Sequence, residues 1–305
     1  MNDFNMRHAF LIMAHNNVEQ LNVLLETLDS DLNDIYLHID VKSDITKEDI
    51  YPLNRSKLFF FKEISVFWAD FSQVRCELFL LKKAIQGKYH YYHLISGADM
   101  PLKTPGEIAD YFENDNKIYL HFTTQDTIEI VRDYFKYYHF FQKQLYIVNR
   151  GNFFSWYKVL NKLSIFVQKL IGIDRCRDGV VVKRGANWFS IPFDAARYVL
   201  EKEKWIIDRF DKTRSSDEFF MQTVFYNSDF RDRLFRFKED DSYESCLRYI
   251  DWKRGNPYTF REDDYEDLIS SDYLFARKFD WQTDKNIILK IYNYLKMTKG
   301  QDTNA

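Results

Sequence analysis

The sequence is poor in the residues that make stapled, linker-rich or repetitive chains. Only three cysteines occur in 305 residues. Cys76, Cys176 and Cys246 are odd in number and widely spaced, and no Cys-x-x-Cys or Cys/His cluster accompanies them, which argues against a disulfide framework or a zinc site. A reducing, cytoplasmic setting is therefore expected. Glycine (9) and proline (5) are scarce and no Pro-, Gly- or Ser-rich stretch marks a linker, which excludes collagen-like and disordered classes and favours one domain over the whole chain. No window approaches the roughly 18 apolar residues of a membrane span. The opening MNDFNMRHAF lacks a basic region followed by an apolar run, so neither a transmembrane helix nor a secretory leader is expected. A large charge of one sign is missing too: 43 Lys and Arg against 46 Asp and Glu leave a formal net charge of −3, so no whole-molecule field would gather nucleic acid as a partner.

What is abundant is apolar and aromatic: 46% hydrophobic residues, with 28 Phe, 21 Tyr and 6 Trp, supply an ample core. Sugar rings stack well on such aromatics, although cores use them as well. Apolar runs with β-type residues alternate with helical periodicity: strands over His8–Ala14, Asp34–Asp40, Leu58–Phe61 and Tyr91–Ser96, helices over Val18–Leu28 and Ser72–Ile85. That alternation predicts an α/β fold with a mostly parallel central sheet flanked by helices. Pro105–Phe112 reads as a helix with proline at its first position, and Lys117–Phe122 as a further strand. Later elements are a strand at Trp188–Ile191, helices at Phe193–Glu201 and from Ser215, and a terminal helix near Asn286–Met297. Ligands in open α/β sheets bind beyond the carboxyl ends of strands, which makes His15, Asp40 and Asp99 candidates by position. The segment Phe153–Ile171 places apolar residues at helical spacing with Lys158, Lys162 and Lys169 between them; a core-packed helix with a solvated face is the expectation, and an interfacial helix giving peripheral membrane contact is the alternative.

Metal-dependent use of a nucleotide diphosphate usually needs an Asp-x-Asp after a central strand, because two carboxylates hold the divalent ion. Here Tyr91–Ser96 is followed by Gly97-Ala98-Asp99, a single acid. The one Asp-x-Asp, Asp29-Ser30-Asp31, precedes the second strand and reads as a solvated turn. His90 and His93, three apart on a strand, point to opposite faces and cannot chelate together. No Gly-x-x-x-x-Gly-Lys or Gly-x-Gly-x-x-Gly cradle exists, so ATPase and dinucleotide readings lack support. Ser215 and Glu218 have capping-box spacing, the reading that spacing alone favours, with Glu218 as a general base the functional alternative. In Leu274–Asp280 the pair Arg277-Lys278 interrupts apolar residues; such pairs are usually solvated edges, but facing a sugar diphosphate they would offer a guanidinium fork and a point charge in place of a metal.

Six segments in order, Ala9–His15 leading to His38-Ile39-Asp40, VFWADFS (66–72), YHLISGADMPLKTP (92–105), GANWFSI (185–191), SDEF (216–219) and FARKFD (275–280), resemble the core-2 and I-branching β-1,6-N-acetylglucosaminyltransferases and their relatives, the peptide O-xylosyltransferases. The resemblance covers most of the chain. It implies the A-type glycosyltransferase fold, an inverting single displacement, and a UDP-sugar co-substrate held with no metal and no other cofactor. By motif match, Asp40 and Trp68 would contact the uridine portion, Arg277 and Lys278 the diphosphate, with Arg248 in LRYIDW as a further phosphate contact. Glu218 would be the base, and Asp217 and Trp188 would touch substrate, a buried strand aromatic being the other reading of Trp188. Residues 1–122 would form the nucleotide-sugar half and 123–305 the acceptor and catalytic half. Animal members carry a membrane anchor and many disulfides, neither of which is expected from this sequence with its three cysteines and no long apolar run. A bacterial cytoplasmic enzyme is therefore implied, at most peripheral on the inner face of the membrane, acting on a glycan or lipid-linked saccharide. Xylosyl, glucosyl or galactosyl transfer, and a non-catalytic glycan- or nucleotide-binding module, are the rival readings.

Overall fold

A computed structural model of the chain describes residues 5–149 and 156–302. The expected alternation is present: β1 (Asn5–Ala14), the helix Val18–Leu28, β2 (Asn33–Ile39), β3 (Lys57–Phe61), the helix Ser72–Ala84 and β4 (Tyr89–Ser96). After these come β5 (Asp99–Pro101), β6 (Tyr119–Leu120), β7 (Phe189–Pro192), β8 (Arg248–Ile250) and β9 (Phe275–Arg277). The main sheet runs β3-β2-β1-β4-β7-β6. Its first four strands are mutually parallel, while β7 is antiparallel to both β4 and β6. The fold is therefore the mixed α/β arrangement that the alternation predicts.

Central strands covered on both faces must be apolar on both, and β1 shows how the sheet divides two cores. Ala9 and Leu11 point to one side, where Tyr92, Leu94 and the Val74, Leu78 and Leu81 face of helix Ser72–Ala84 pack on them. Phe10 and Ile12 point to the other, against Leu21, Leu24 and Leu25 and against Ile287, Ile288 and Ile291 of the terminal helix Lys285–Asp302. The helix Pro105–Phe112 starts where predicted because Thr104 accepts from the Glu107 amide while the Glu107 carboxylate reaches back to the Thr104 amide (2.7 Å).

A second, three-stranded sheet, β5-β9-β8, whose strands are three residues each, was not expected from the sequence. It is tied to the end of β4: the Gln20 amide donates to Gly97 O (2.9 Å) and Phe279 O (3.2 Å), and the Phe279 amide donates to Ala98 O (2.9 Å). This sheet carries Arg277 to the carboxyl edge of the central strands.

Three expectations are corrected. Asp29 is not in a solvated turn: it is buried and accepts from the amides of Asn54, Arg55 and Ser56 at 2.7–3.0 Å, whereas Asp31 is exposed and pairs with Arg55. Burial raises the Asp29 pKa, but those donors outweigh it and the net shift is downward. The capping box at Ser215 does not form; Ser215 has φ +50 and no side-chain cap bond, and Ser216–Glu218 is a single 3-10 turn before the helix Phe220–Tyr226. The helix at Trp156–Leu170 is not core-packed, since Gln168 is its one buried residue; positions 153–155 of the expected helix lie outside the described residues. His90 and His93 are hydrogen-bonded apart, to Phe112 O (2.6 Å) and to Ser190 Oγ (2.8 Å).

Candidate functional site

A cleft of about 1210 Å³ lies beyond the carboxyl ends of β3 and β6 and the start of β7. Six of the eight residues to which the resemblance gives site roles line it: Trp68, Trp188, Asp217, Glu218, Arg277 and Lys278. Asp40 and Arg248 do not.

Each lining group is held by a local device. Trp68 is exposed on the loop after β3, whose next residue Ala69 takes φ +61. That loop is pinned twice: the Ala69 amide donates to Gln73 Oε1 (2.9 Å), and Ala69 O accepts from the Ser215 amide (3.0 Å). The other end of the same Gln73 amide donates to Asp217 Oδ2 (2.9 Å), so one side chain joins the Trp68 loop to the acidic turn. Asp40 acts from behind. It is buried, accepts from the Val66 amide (3.2 Å), and binds the Lys42 ammonium, which in turn sits 4.3 Å over the Phe67 ring. It braces the segment leading into Trp68 instead of lining the cleft.

The acidic corner has an unexpected partner. Arg184 donates to Glu218 Oε2 through both Nε (3.0 Å) and Nη2. Both contacts fall on one carboxylate oxygen. The Glu218 backbone is fixed as well, its carbonyl accepting from the Gly185 amide (2.8 Å). Glycine is required there: a Cβ at position 185 would lie 1.7 Å from His121 O. Beneath Glu218, Asp217 is buried with Oδ1 lacking a hydrogen-bond partner among the described residues, and Glu77 of helix Ser72–Ala84 is buried with neither oxygen in a hydrogen bond of good geometry to them. Burial, then repulsion from Glu218, pushes the Asp217 carboxyl up to about 8, and burial followed by repulsion from Asp217 raises Glu77 well above the carboxylate range. The Asn187 side chain opposes the Glu77 shift.

The basic corner uses the lone acid after β4. Arg277 donates to Asp99 Oδ1 (2.8 Å) and Ser96 Oγ (2.6 Å), and its guanidinium lies 4.5 Å over the Trp188 ring. Asp99, a candidate by position, thus orients an arginine where a metal enzyme would place a metal-binding acid. Among the described residues no carboxylate lies within ion-pair distance of the Lys278 ammonium. Arg248, by contrast, is interior: it donates to Ser190 Oγ (3.0 Å) and to the carbonyls of Leu94 (3.2 Å), Phe189 (2.9 Å) and Cys246. Burial lowers its pKa to about 10. A guanidinium committed to carbonyls beneath the sheet edge is a strut, and its phosphate role is not carried by this geometry. His15 is exposed and is not among the cleft residues.

Sequence reasoning missed Arg184, Gln73, His121 and the aromatic wall of Tyr243, Tyr249, Trp252 and Tyr273. His121 lies flat on Tyr243 (centroids 4.0 Å apart, planes 10° apart), and burial is the leading cause of its pKa falling to about 4. Among the described residues, no three His, Cys, Asp or Glu side chains gather as metal ligands, and no helix is long and apolar enough to cross a membrane.

The model of the family described as "Branch: Core-2/I-Branching enzyme" matches residues 8–273. Among solved structures, apo mouse xyloside xylosyltransferase 1 is similar at 12% identity and a TM-score of 0.37, over 88% of this chain and 97% of that one. No curated protein matches.

Proposed function

Because the chain belongs to the core-2/I-branching enzyme family and is thus a glycosyltransferase, we propose that it moves a sugar, N-acetylglucosamine foremost, from a UDP-sugar to a hydroxyl of a glycan acceptor, with inversion and without a bound metal ion. The observation that carries this reading is the meeting of Glu218 with Arg277 and Lys278 in one aromatic-lined cleft. The acceptor oxygen bonds to the anomeric carbon from the face opposite the nucleotide, its proton passes to Glu218, and the bond to the β-phosphate oxygen breaks with its electron pair leaving on UDP. Charge growing on that diphosphate is answered by a guanidinium and an ammonium, which act as preorganised electrostatic stabilisers. Arg277 is preorganised by Asp99 and Ser96, so little orientation is left to be lost on binding.

The A-type fold implied by the resemblance is consistent with a mostly parallel sheet and a cleft at its carboxyl edge. Trp188 under Arg277 and exposed Trp68 offer ring faces for sugar and base. An intracellular site of action on a glycan or carrier-linked saccharide belongs to the same proposal. The test is transfer from a panel of UDP-sugars by the wild type and Glu218→Gln, with product configuration read by NMR. Near-normal turnover of Glu218→Gln, or retention of anomeric configuration, contradicts the scheme; binding without transfer of any donor would leave a nucleotide-binding module in its place.

A further inference from the structure

The helix Trp156–Leu170 is amphipathic in the wrong sense for a soluble surface. Uncharged polar residues face in: Asn161 and Ser164 are half-buried and Gln168 is buried, its amide donating to Tyr138 O (2.9 Å) and accepting from the Tyr138 N–H (2.8 Å), a two-bond clamp of the helix to the body. Apart from the half-buried Ile165, its apolar residues face out, with Leu163 at 54%, Phe166 at 57% and Leu170 at 70% exposure. At about 100° per residue, Leu160, Leu163, Phe166, Val167 and Leu170 fall within an arc of about 120°, and Gln168 lies roughly 140° from its centre. Lys158, Lys162 and Lys169 form a row along one flank of that arc by the same geometry. The helix contains no acid, although acids outnumber bases in the whole chain. Lys169 pairs with Asp133 (3.3 Å); Lys158 and Lys162 are exposed.

Exposed apolar faces of this kind mark interaction sites, and the chemistry around this one selects among partners. A second copy of the helix would meet it with the same lysines and no acids, whereas an anionic bilayer supplies both an apolar interior and negative headgroups. We propose that Trp156–Leu170 is an interfacial anchor that lies in the plane of an anionic lipid membrane, apolar arc inward and lysine flank on the headgroups. The helix Gln142–Asn149 packs beside it and reaches the cleft edge, with Tyr146 5.9 Å from the Phe67 ring and the Lys143 ammonium 4.9 Å over it, next to Trp68. Resting on the proposed transfer reaction, the anchor would hold the cleft mouth near an acceptor displayed at the bilayer.

The experiment is co-sedimentation of the full chain with phosphatidylcholine vesicles, with and without phosphatidylglycerol. Binding is expected only with the anionic lipid and should fall with salt. Removing both exposed lysines (Lys158→Ala with Lys162→Ala) should weaken it roughly 25-fold, about fivefold per lysine near a charged surface. Leu163→Glu with Phe166→Glu should abolish it while leaving the thermal melt unchanged, because those side chains are outside the core. No binding to anionic vesicles, or binding indifferent to both sets of substitutions, overturns the proposal. A concentration-dependent dimer lost in Leu163→Glu without any lipid binding would reassign the face to a second copy. None of these readouts requires transfer activity, so failure here and failure of the proposed reaction are distinguishable.

Discussion

Replacing Asp217 by Asn should remove a defined part of the pH dependence of folding. In the native chain Asp217 sits beneath Glu218 with one oxygen unpartnered, and burial with repulsion from Glu218 holds its carboxyl up near 8. In the unfolded chain it titrates near 4. Between those values the folded protein keeps a proton that the unfolded chain has released, so stability falls as pH rises through this window and levels off above about 8. Each such proton contributes a slope of about 1.4 kcal/mol per pH unit, so between about pH 5 and pH 7 the wild type should lose stability relative to Asp217→Asn, on the order of 3 kcal/mol. The asparagine keeps the shape and can still accept from Gln73. Buried histidines with lowered pKa values, such as His8 and His121, give an opposite slope at acid pH, but they are common to both proteins and cancel in the difference. Urea unfolding of both proteins across that range measures it, with Glu77→Gln adding a second increment of the same sign because Glu77 is also raised. Parallel curves for wild type and Asp217→Asn would refute the claim that a protonated acid lies under the candidate base.

Other outcomes follow from the same site. Glu218→Gln should fold and bind UDP but turn over about 10²–10⁴-fold more slowly, the usual loss when a general base is removed. Lys278→Ala should both weaken UDP binding, read by calorimetry, and slow transfer; unchanged nucleotide affinity would count against a phosphate role. Gln73→Leu strands the Ala69 amide and Asp217 Oδ2 together, so a stability loss of about 1–3 kcal/mol per group is expected in denaturant melts. Gly185→Ala should lower the melting temperature sharply because its Cβ meets the His121 carbonyl, and a melt like the wild type would show that the Arg184–Ala186 segment can move.

The parts legible in the sequence are those where one short-range rule decides. The helices Val18–Leu28, Pro105–Phe112 and Phe193–Glu201 have the bounds that periodicity and end signals gave, and strands of five or more residues carry a readable apolar run. Strands β5, β8 and β9 are too short for any period, so the sheet that carries Arg277 was invisible. Periodicity also located the stripe on Trp156–Leu170 but not what faces it, because an apolar arc looks the same whether it meets a core or lipid. Arg184 and Gln73 gave no signal: one lies in an irregular segment and the other is a polar residue near a helix start, where a solvated side chain is the ordinary expectation. Arg248 shows the converse, a motif position whose guanidinium is spent on backbone carbonyls.

The most direct test of the account is the rate of sugar transfer after exhaustive treatment with EDTA. If Arg277 and Lys278 carry the leaving diphosphate, the rate should be unchanged and added magnesium or manganese should not raise it. Loss of transfer on chelation, restored by either ion, would contradict the account at its centre.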